Sequence, residues 1–392
     1  MQRTNTGEYY LSQTGEEKVR AFIPAPLPPV PPVEMEPKLV NALADTMLAL
    51  GRLNSLRIAP DYGLFLYQYV RKEAVLSSKI EGTQSTLADL LAHEDSDIPG
   101  VPLDDVVEVS NYMAAMEYGR KRVMEDGFPI SSRLMREIHK VLLASGRGSD
   151  KNPGEFKRSQ NWLGGTRPGN AHFVPTPPHE TARCIGELEK FIHDDQTGLH
   201  TLLKAGLVHV QFETIHPFLD GNGRIGRMLV PLMLMQEGIL DEPTLYLSLF
   251  LKEYRSEYYA HLQAVRETGN WESWLLFFLD GVRLVALDAV HAADSLQEIY
   301  QKDRQRLVES GKNSKVVMQV HECMMIRQAA NPKRISEQTG LSMPSVMRGL
   351  RTLMEMAIVE ETTGRQRNTR YKYTETCALL ATEIGNFSQE SS

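Results

Sequence analysis

Three cysteines in 392 residues, Cys184, Cys323 and Cys377, are too few and too widely spaced for a disulfide framework. They form no CxxC pair, so a zinc ribbon is excluded as well, and the usage fits a reducing compartment. No run of about 18 apolar residues exists to cross a bilayer. The segment Met1 to Lys18 is polar and lacks the apolar centre of a secretory signal. The expectation is a cytoplasmic protein without a membrane partner. Positive charge is not in excess: 43 Lys and Arg against 50 Asp and Glu leave a net charge of −7. A generic nucleic-acid or membrane binder is therefore excluded, and any basic patch must be local. Parallel-strand patterns are missing too. Gly221-Asn222-Gly223-Arg224-Ile225-Gly226 formally satisfies GxGxxG, but no strand precedes it, so a dinucleotide fold is a poor reading. A GxxxxGK[ST] phosphate loop is absent, and His209 and His216 lack a third ligand at metal spacing.

What the chain has is helical period. Apolar residues recur at helical spacing over 38–56, 64–80 and 104–125, and again in a helix capped by Ser131 or Ser132 that carries Leu134, Ile138 and Leu142. Further helices are expected over 180–193, 199–215, 228–236, 251–267 and 271–307. Residues 1–36 end in Ile23-Pro24-Ala25-Pro26-Leu27-Pro28-Pro29-Val30-Pro31-Pro32, an extended arm expected to pack along its own domain. Glycines and prolines break every period over 146–178, where Asn161–Gly165 and Ala171–Val174 can pair as a short hairpin. A loop that long inside a compact domain is usually functional. The C-terminal segment reads helix, helix, turn, helix, hairpin, which is a winged helix-turn-helix. Residues 312–375 carry eleven Lys/Arg and six Asp/Glu, so this module is basic in an acidic chain. Arg348 and Arg351 on its third helix, and Arg365, Arg367 and Arg370 in its wing, are the expected DNA contacts. Such modules also serve as dimerisation or peptide-docking units.

One stretch concentrates the chemistry: His216-Pro217-Phe218-Leu219-Asp220-Gly221-Asn222-Gly223-Arg224-Ile225-Gly226-Arg227. It offers a general base, a carboxylate, a compact Gly-Asn-Gly turn and two arginines three residues apart. A loop that opens onto a helix N-terminus favours anions, because orphan N–H groups and the helix dipole both attract negative charge. His216 can take a proton from a hydroxyl, Asp220 offers a hard oxygen to Mg²⁺, and Arg224 and Arg227 supply planar forks for phosphate oxygens. The backbone of Gly221, Asn222, Gly223 and Arg224 would cradle phosphates. Phe218 is expected to anchor the loop in the core.

The string His-Pro-Phe-x-Asp-Gly-Asn-Gly-Arg-x-x-Arg resembles the signature of Fic (Fido) domain proteins, which transfer AMP from ATP onto hydroxyl side chains. Upstream, Ser77-Ser78-Lys79-Ile80-Glu81-Gly82 resembles the inhibitory helix of that family, with Glu81 one turn after Ser77. The resemblance covers roughly residues 35–300. It implies a mainly α fold, a Fic-type helical bundle with a short β-hairpin flap, followed by the winged helix-turn-helix. The implied domains are an N-terminal arm and helical region over 1–125, a catalytic domain over 126–280, and a linker helix with the winged module over 281–392. It implies ATP and Mg²⁺ as cofactors, His216 as the catalytic base and Asp220 as the metal ligand. It places Tyr258 near the adenine, although a buried packing role is open for that ring. It makes His172, Phe173 and Val174 the flap on which a target's backbone adds as a strand. Glu81 would compete with the ATP γ-phosphate for Arg227. A homodimer and an unidentified target protein with a modifiable hydroxyl are the expected partners. Two other readings stand beside AMP transfer: removal of AMP from a modified protein, and a nucleotide-sensing transcription regulator whose output is the winged helix.

Overall fold

The computed structural model describes residues 2–14, 17–56, 62–80, 103–363 and 369–381. Glu81, Gly82, Arg365 and Arg367 lie outside the described residues. The chain opens on a feature the proline reading did not anticipate. Strands β1 (Gly7–Thr14) and β2 (Glu17–Pro24) pair antiparallel from Gly7↔Pro24 to Thr14↔Glu17. Val19, Ala21 and Ile23 of β2 alternate inward, and Phe22 between the last two is buried on the other face. Only the second half of the expected arm is extended and proline-rich, and it does pack on its own domain. Arg3 holds it there, with Nε donating to Pro31 O at 2.6 Å and Nη2 pairing with Glu272 at 2.6 Å. Gln211 Nε2 adds a bond to Ala25 O at 2.8 Å.

Helices then follow in series: α1 (Pro37–Ser55), α2 (Tyr62–Ile80), α3 (Leu103–Met124), α4 (Ser132–Leu142), α5 (Pro178–Ile192), α6 (Thr201–Ile215) and α7 (Asn222–Gln236). After them come α8 (Ser248–Glu253), α9 (Arg255–Thr268) and α10 (Trp271–Glu309). Local chemistry sets many of the starts. Ser131 caps α4 by accepting from Leu134 N at 3.3 Å, and Asn270 caps α10 by accepting from Ser273 N at 3.4 Å. The single helix expected over 251–267 is broken at Tyr254, whose ψ of 37° separates α8 from α9. Every residue of α6 from Leu202 to Ile215 is buried. Buried on every side, its polar Lys204, His209, Gln211 and Glu213 included, α6 lies inside the bundle against α5, α7, α9 and α10. Each fully buried Leu, Ile, Val or Phe on it contributes about 1.5–3 kcal/mol. The functional loop leaves the C-terminus of this most constrained helix, so its anchor points are fixed.

The C-terminal module is built of α11 (Lys315–Arg327), β3 (Ala329–Ala330), α12 (Pro332–Thr339), α13 (Met343–Glu355), β4 (Val359–Glu361), β5 (Tyr371–Tyr373) and α14 (Thr374–Ala381). Its sheet runs β3-β5-β4, all antiparallel. This is the expected order of helices and wing, with β3, too short to show a period, added as a third strand. Asn331 caps α12 by accepting from Arg334 N at 2.9 Å, and Gly340 ends it in the left-handed region at φ 68°. The module is tied to the far end of the 39-residue α10. Tyr373 Oη donates to Asp303 Oδ2 at 2.9 Å, and Arg306 Nη2 donates to Met356 O at 2.6 Å. Arg348 and Arg351 are exposed on α13, but Arg370 is only 8% exposed, so the wing contact expected of it is not available at its surface. Among the described residues, no helix is long and apolar enough to cross a membrane.

Candidate active site

His216 ends α6 in the left-handed region, at φ 50° and ψ 62°, while its N–H still donates to Phe212 O at 2.8 Å. Such a conformation costs a non-glycine residue energy and persists only where its surroundings enforce it. Here they do. Lys157 Nζ donates to His216 O at 2.9 Å, to Ile215 O at 3.1 Å and to Asn161 Oδ1 at 2.8 Å. Asn161 Nδ2 donates to His216 O at 3.1 Å and to Phe218 O at 2.8 Å. Burial pushes the Lys157 ammonium down to about 7.

Phe218 is fully buried, as expected of an anchor, and its ring stacks on His139 at 3.8 Å with the planes 7° apart. Gly154 N donates to His139 Nδ1 at 2.8 Å, which leaves Nε2–H to donate to Asp220 O at 3.0 Å. Burial keeps this imidazole neutral, with its pKa pushed down to about 4. The Asn222 amide is occupied at both ends: Oδ1 accepts from Phe218 N and Nδ2 donates to Phe218 O, each at 2.8 Å. Its side chain therefore clamps the loop, and what it offers a phosphate is its backbone N–H at the start of α7. Gly221, at φ 77°, is the N-cap that turns the chain into that helix. The first N–H groups of α7 have no partner within the helix and face the loop mouth.

The two arginines have different surroundings. Arg224 is 1% exposed; its Nη1 donates to Glu108 Oε1 at 2.7 Å and its Nη2 to Asp220 Oδ1 at 3.2 Å. Its fork is thus given to two carboxylates, one of them on α3, where phosphate oxygens were the expected partners. Arg227 Nε donates to Ser77 Oγ at 2.9 Å, and its Nη2 donates to Ser77 O at 3.0 Å. Ser77, expected on the inhibitory helix, is thus a direct neighbour of Arg227. Below this pair lies a buried network. Glu73 of α2 accepts from Tyr112 Oη at 3.1 Å and from the Ser248 hydroxyl and N–H, near enough to Arg227 to feel its charge.

Asp220 is the carboxylate open to a cation, with 28% of its side chain exposed. Its Oδ1 is taken by Gly221 N at 2.6 Å and by Arg224. Among the described residues no cluster of three or more His, Cys, Asp or Glu could cage a metal. One carboxylate plus substrate phosphates and waters is how Mg²⁺ is commonly held, and the Asp220 donor set fits that mode.

The flap is present as a single antiparallel bridge, Leu163↔Phe173, with Leu163 N donating to Phe173 O at 2.8 Å. His172 is exposed. Val174 O already accepts from Phe22 N at 2.9 Å, so the N-terminal hairpin covers that end of the flap. The Phe173 ring lies under the Arg266 guanidinium at 3.8 Å. Tyr258 is 3% exposed, and its hydroxyl is bonded to His209 Nε2 at 2.9 Å beside Trp274. Of the two roles open to it, its contacts are those of a packing residue. Sequence reasoning missed Lys157, Asn161, His139, Glu108, Glu73 and Glu213. Only Glu213, three residues before His216 on the helix, carried a local signal, the i,i+3 spacing.

A buried helix thus brings a strained histidine to a carboxylate and to a helix start of the kind that favours anions. Residues 40–121 match the Fic/DOC family N-terminal region and residues 129–234 match the Fic/DOC family. Over 242 residues it is 28% identical to the protein adenylyltransferase Fic of Aedes aegypti, covering 62% of this chain and 43% of that protein. Over 240 residues it is 29% identical to that of Drosophila mojavensis, covering 60% and 43% respectively. The matched region thus spans less than half the length of these curated relatives. Among solved structures, a Fic family protein from Desulfovibrio desulfuricans G20 aligns with a TM-score of 0.55 at 23% identity, over 88% of this chain and 98% of that one. A Fic domain containing signaling protein from Bacteroides thetaiotaomicron aligns with a TM-score of 0.50 at 20% identity, over 64% and 95%. These similarities establish the fold. Fic family proteins are generally nucleotidyltransferases, and the domain implies nucleotide use.

Proposed function

We propose that this chain is a protein adenylyltransferase that moves AMP from ATP onto a Ser, Thr or Tyr hydroxyl of a target protein and of itself. The observation that carries this reading is the complete loop: His216 strained at the end of α6, the Asp220 carboxylate, and the bare start of α7 within one turn of chain. In this reading His216 accepts the hydroxyl proton, and the α7 backbone N–H groups hold the α- and β-phosphates. Arg227 reaches the γ-phosphate. Asp220 would hold Mg²⁺, which neutralises phosphate charge when bound.

Regulation is part of the same proposal. Ser77 engages Arg227 with its hydroxyl and carbonyl, and Glu81 follows Ser77 by four residues in the sequence. A carboxylate there competes with the γ-phosphate for Arg227 and leaves ATP in an unproductive pose. Incubation of the full chain with ATP and Mg²⁺, followed by mass spectrometry, tests the activity. Glu81→Gly is expected to raise self-modification by about tenfold or more, since removing a competing charge pair contact is worth about 1–3 kcal/mol. His216→Ala is expected to abolish it. No added AMP in either wild type or Glu81→Gly would overturn the proposal.

A further inference from the structure

Glu213 is a buried carboxylate that the loop signature does not include. It sits one turn before His216 on α6, 6% exposed, and its Oε2 is 3.7 Å from His216 Nδ1. Three features show that the fold makes a place for it. Gly226 of the facing helix α7 has no side chain where a Cβ would overlap Glu213 Oε1. The guanidinium of Arg266 on α9, itself buried, is near enough to Glu213 to feel its charge. The strained φ of His216 turns the ring back over its own helix, so that Nδ1 faces this carboxylate.

We propose that Glu213 is the positioning carboxylate of His216: its charge, 3.7 Å from Nδ1 and so an ion-pair contact without a hydrogen bond, favours the proton on Nδ1, leaves Nε2 as the base, and stabilises the imidazolium that forms on proton transfer. This inference rests on the AMP-transfer reading for its chemistry, though not for its test. As the target hydroxyl oxygen bonds to the α-phosphorus of ATP, its proton passes to Nε2 and the bond from that phosphorus to the bridging oxygen breaks, releasing pyrophosphate. The positive charge then on the ring lies beside Glu213. Two other charged groups bear on this turn. Lys157 donates to the His216 carbonyl, and the buried Arg266 feels the charge of Glu213. Lys157 itself titrates near about 7, so a rate profile alone would mix the two groups.

The histidine is therefore best read directly. Full-length chain labelled with ¹³C,¹⁵N-histidine is titrated by NMR, with the His216 signal assigned by its loss in His216→Ala. Glu213→Gln keeps the shape that fits against Gly226 and removes only the charge. It is expected to lower the pH at which His216 titrates by about one unit, the usual effect of losing an opposite charge at this range. Glu213→Asp, which keeps the charge, should return most of it. In AMP-transfer assays Glu213→Gln should lower kcat by about 10- to 100-fold, a fraction of a general base's worth, with KM for ATP within twofold of wild type. A His216 titration unchanged in Glu213→Gln overturns the inference even if the chain transfers AMP. A shifted titration in a chain that transfers no AMP upholds the positioning contact and counts against the proposed activity alone.

Discussion

Glu73 gives the most direct test of the electrostatics beneath Arg227. The carboxyl is 3% exposed, and burial pushes its pKa up to about 7 from an ordinary 4.5, against the opposing help of Ser248, Arg227 and Tyr112. A raised folded pKa means that the protonated form suits the fold. The group's contribution to stability is full below pH 4.5 and is lost as pH rises through 7. The loss is about 2.5 pH units, or roughly 3 kcal/mol at 1.36 kcal/mol per unit. At pH 5 only about half a unit, under 1 kcal/mol, has been lost. Glu73→Gln removes the titration. Its amide N–H₂ then faces the Ser248 N–H, a donor against a donor, which costs about 1–3 kcal/mol at every pH. The informative quantity is therefore the change with pH of the difference between variant and wild type. Urea unfolding at pH 5 and pH 8 should show Glu73→Gln gaining about 2–3 kcal/mol relative to wild type across that interval. A difference that stays constant within about 0.5 kcal/mol would refute the argument. The same variant withdraws a negative charge from Arg227 at pH 8, so ATP should bind it at least as well as wild type there.

Three further outcomes are expected. Gly226→Ala gains about 1 kcal/mol of helix propensity but drives a methyl group into Glu213 Oε1. It should lose about 1–3 kcal/mol net, and AMP transfer should fall more than its melting temperature suggests. Arg224→Met leaves Glu108, 2% exposed, as a buried charge without its guanidinium; unfolding experiments should show a loss of about 3–5 kcal/mol. Lys157→Met deprives the His216 and Ile215 carbonyls of their common donor and should reduce kcat. In wild type the depressed Lys157 pKa withholds stability below 7 and restores it as pH rises toward 10.5. The variant should show no such rise in urea midpoint between pH 7 and 9.5.

The long helices were legible because apolar residues recur along them at helical spacing, and some also start on a capping residue, as Ser131 and Asn270 do. The N-terminal hairpin was not, because β1 is exposed along much of its length and β2 offers only three alternating inward residues beside the prolines. The loop could be read outright, since its residues are contiguous and their chemistry is local. Its supports could not. Lys157, Asn161, His139 and Glu108 reach it from segments 55 to 116 residues away in sequence, where each looks like any polar residue on a helix or in a glycine-rich loop.

The two loop arginines show where sequence alone misleads. Three residues apart on one helix, they look interchangeable, yet the bundle commits them differently. Arg224 is pinned by two carboxylates in a site with 1–2% exposure at the Arg224–Glu108 pair, and extracting a guanidinium from such a pair costs several kcal/mol. The bonds of Arg227 to Ser77 go to a neutral hydroxyl and a carbonyl, each worth about 1 kcal/mol or a little more to a charged donor. On the proposed function, Arg227 is the arginine that a nucleotide recruits, and Arg224 the one that holds Asp220 for it. Calorimetry with ATP on folded variants separates the roles. Arg227→Lys should weaken ATP binding by about tenfold while leaving the melting temperature within a few degrees, as the loss of one bidentate contact requires. Arg224→Lys should lower the melting temperature, with a smaller change in affinity for the protein that remains folded. If instead Arg224→Lys is the variant that loses ATP while its stability is intact, the division of labour argued from their partners is wrong.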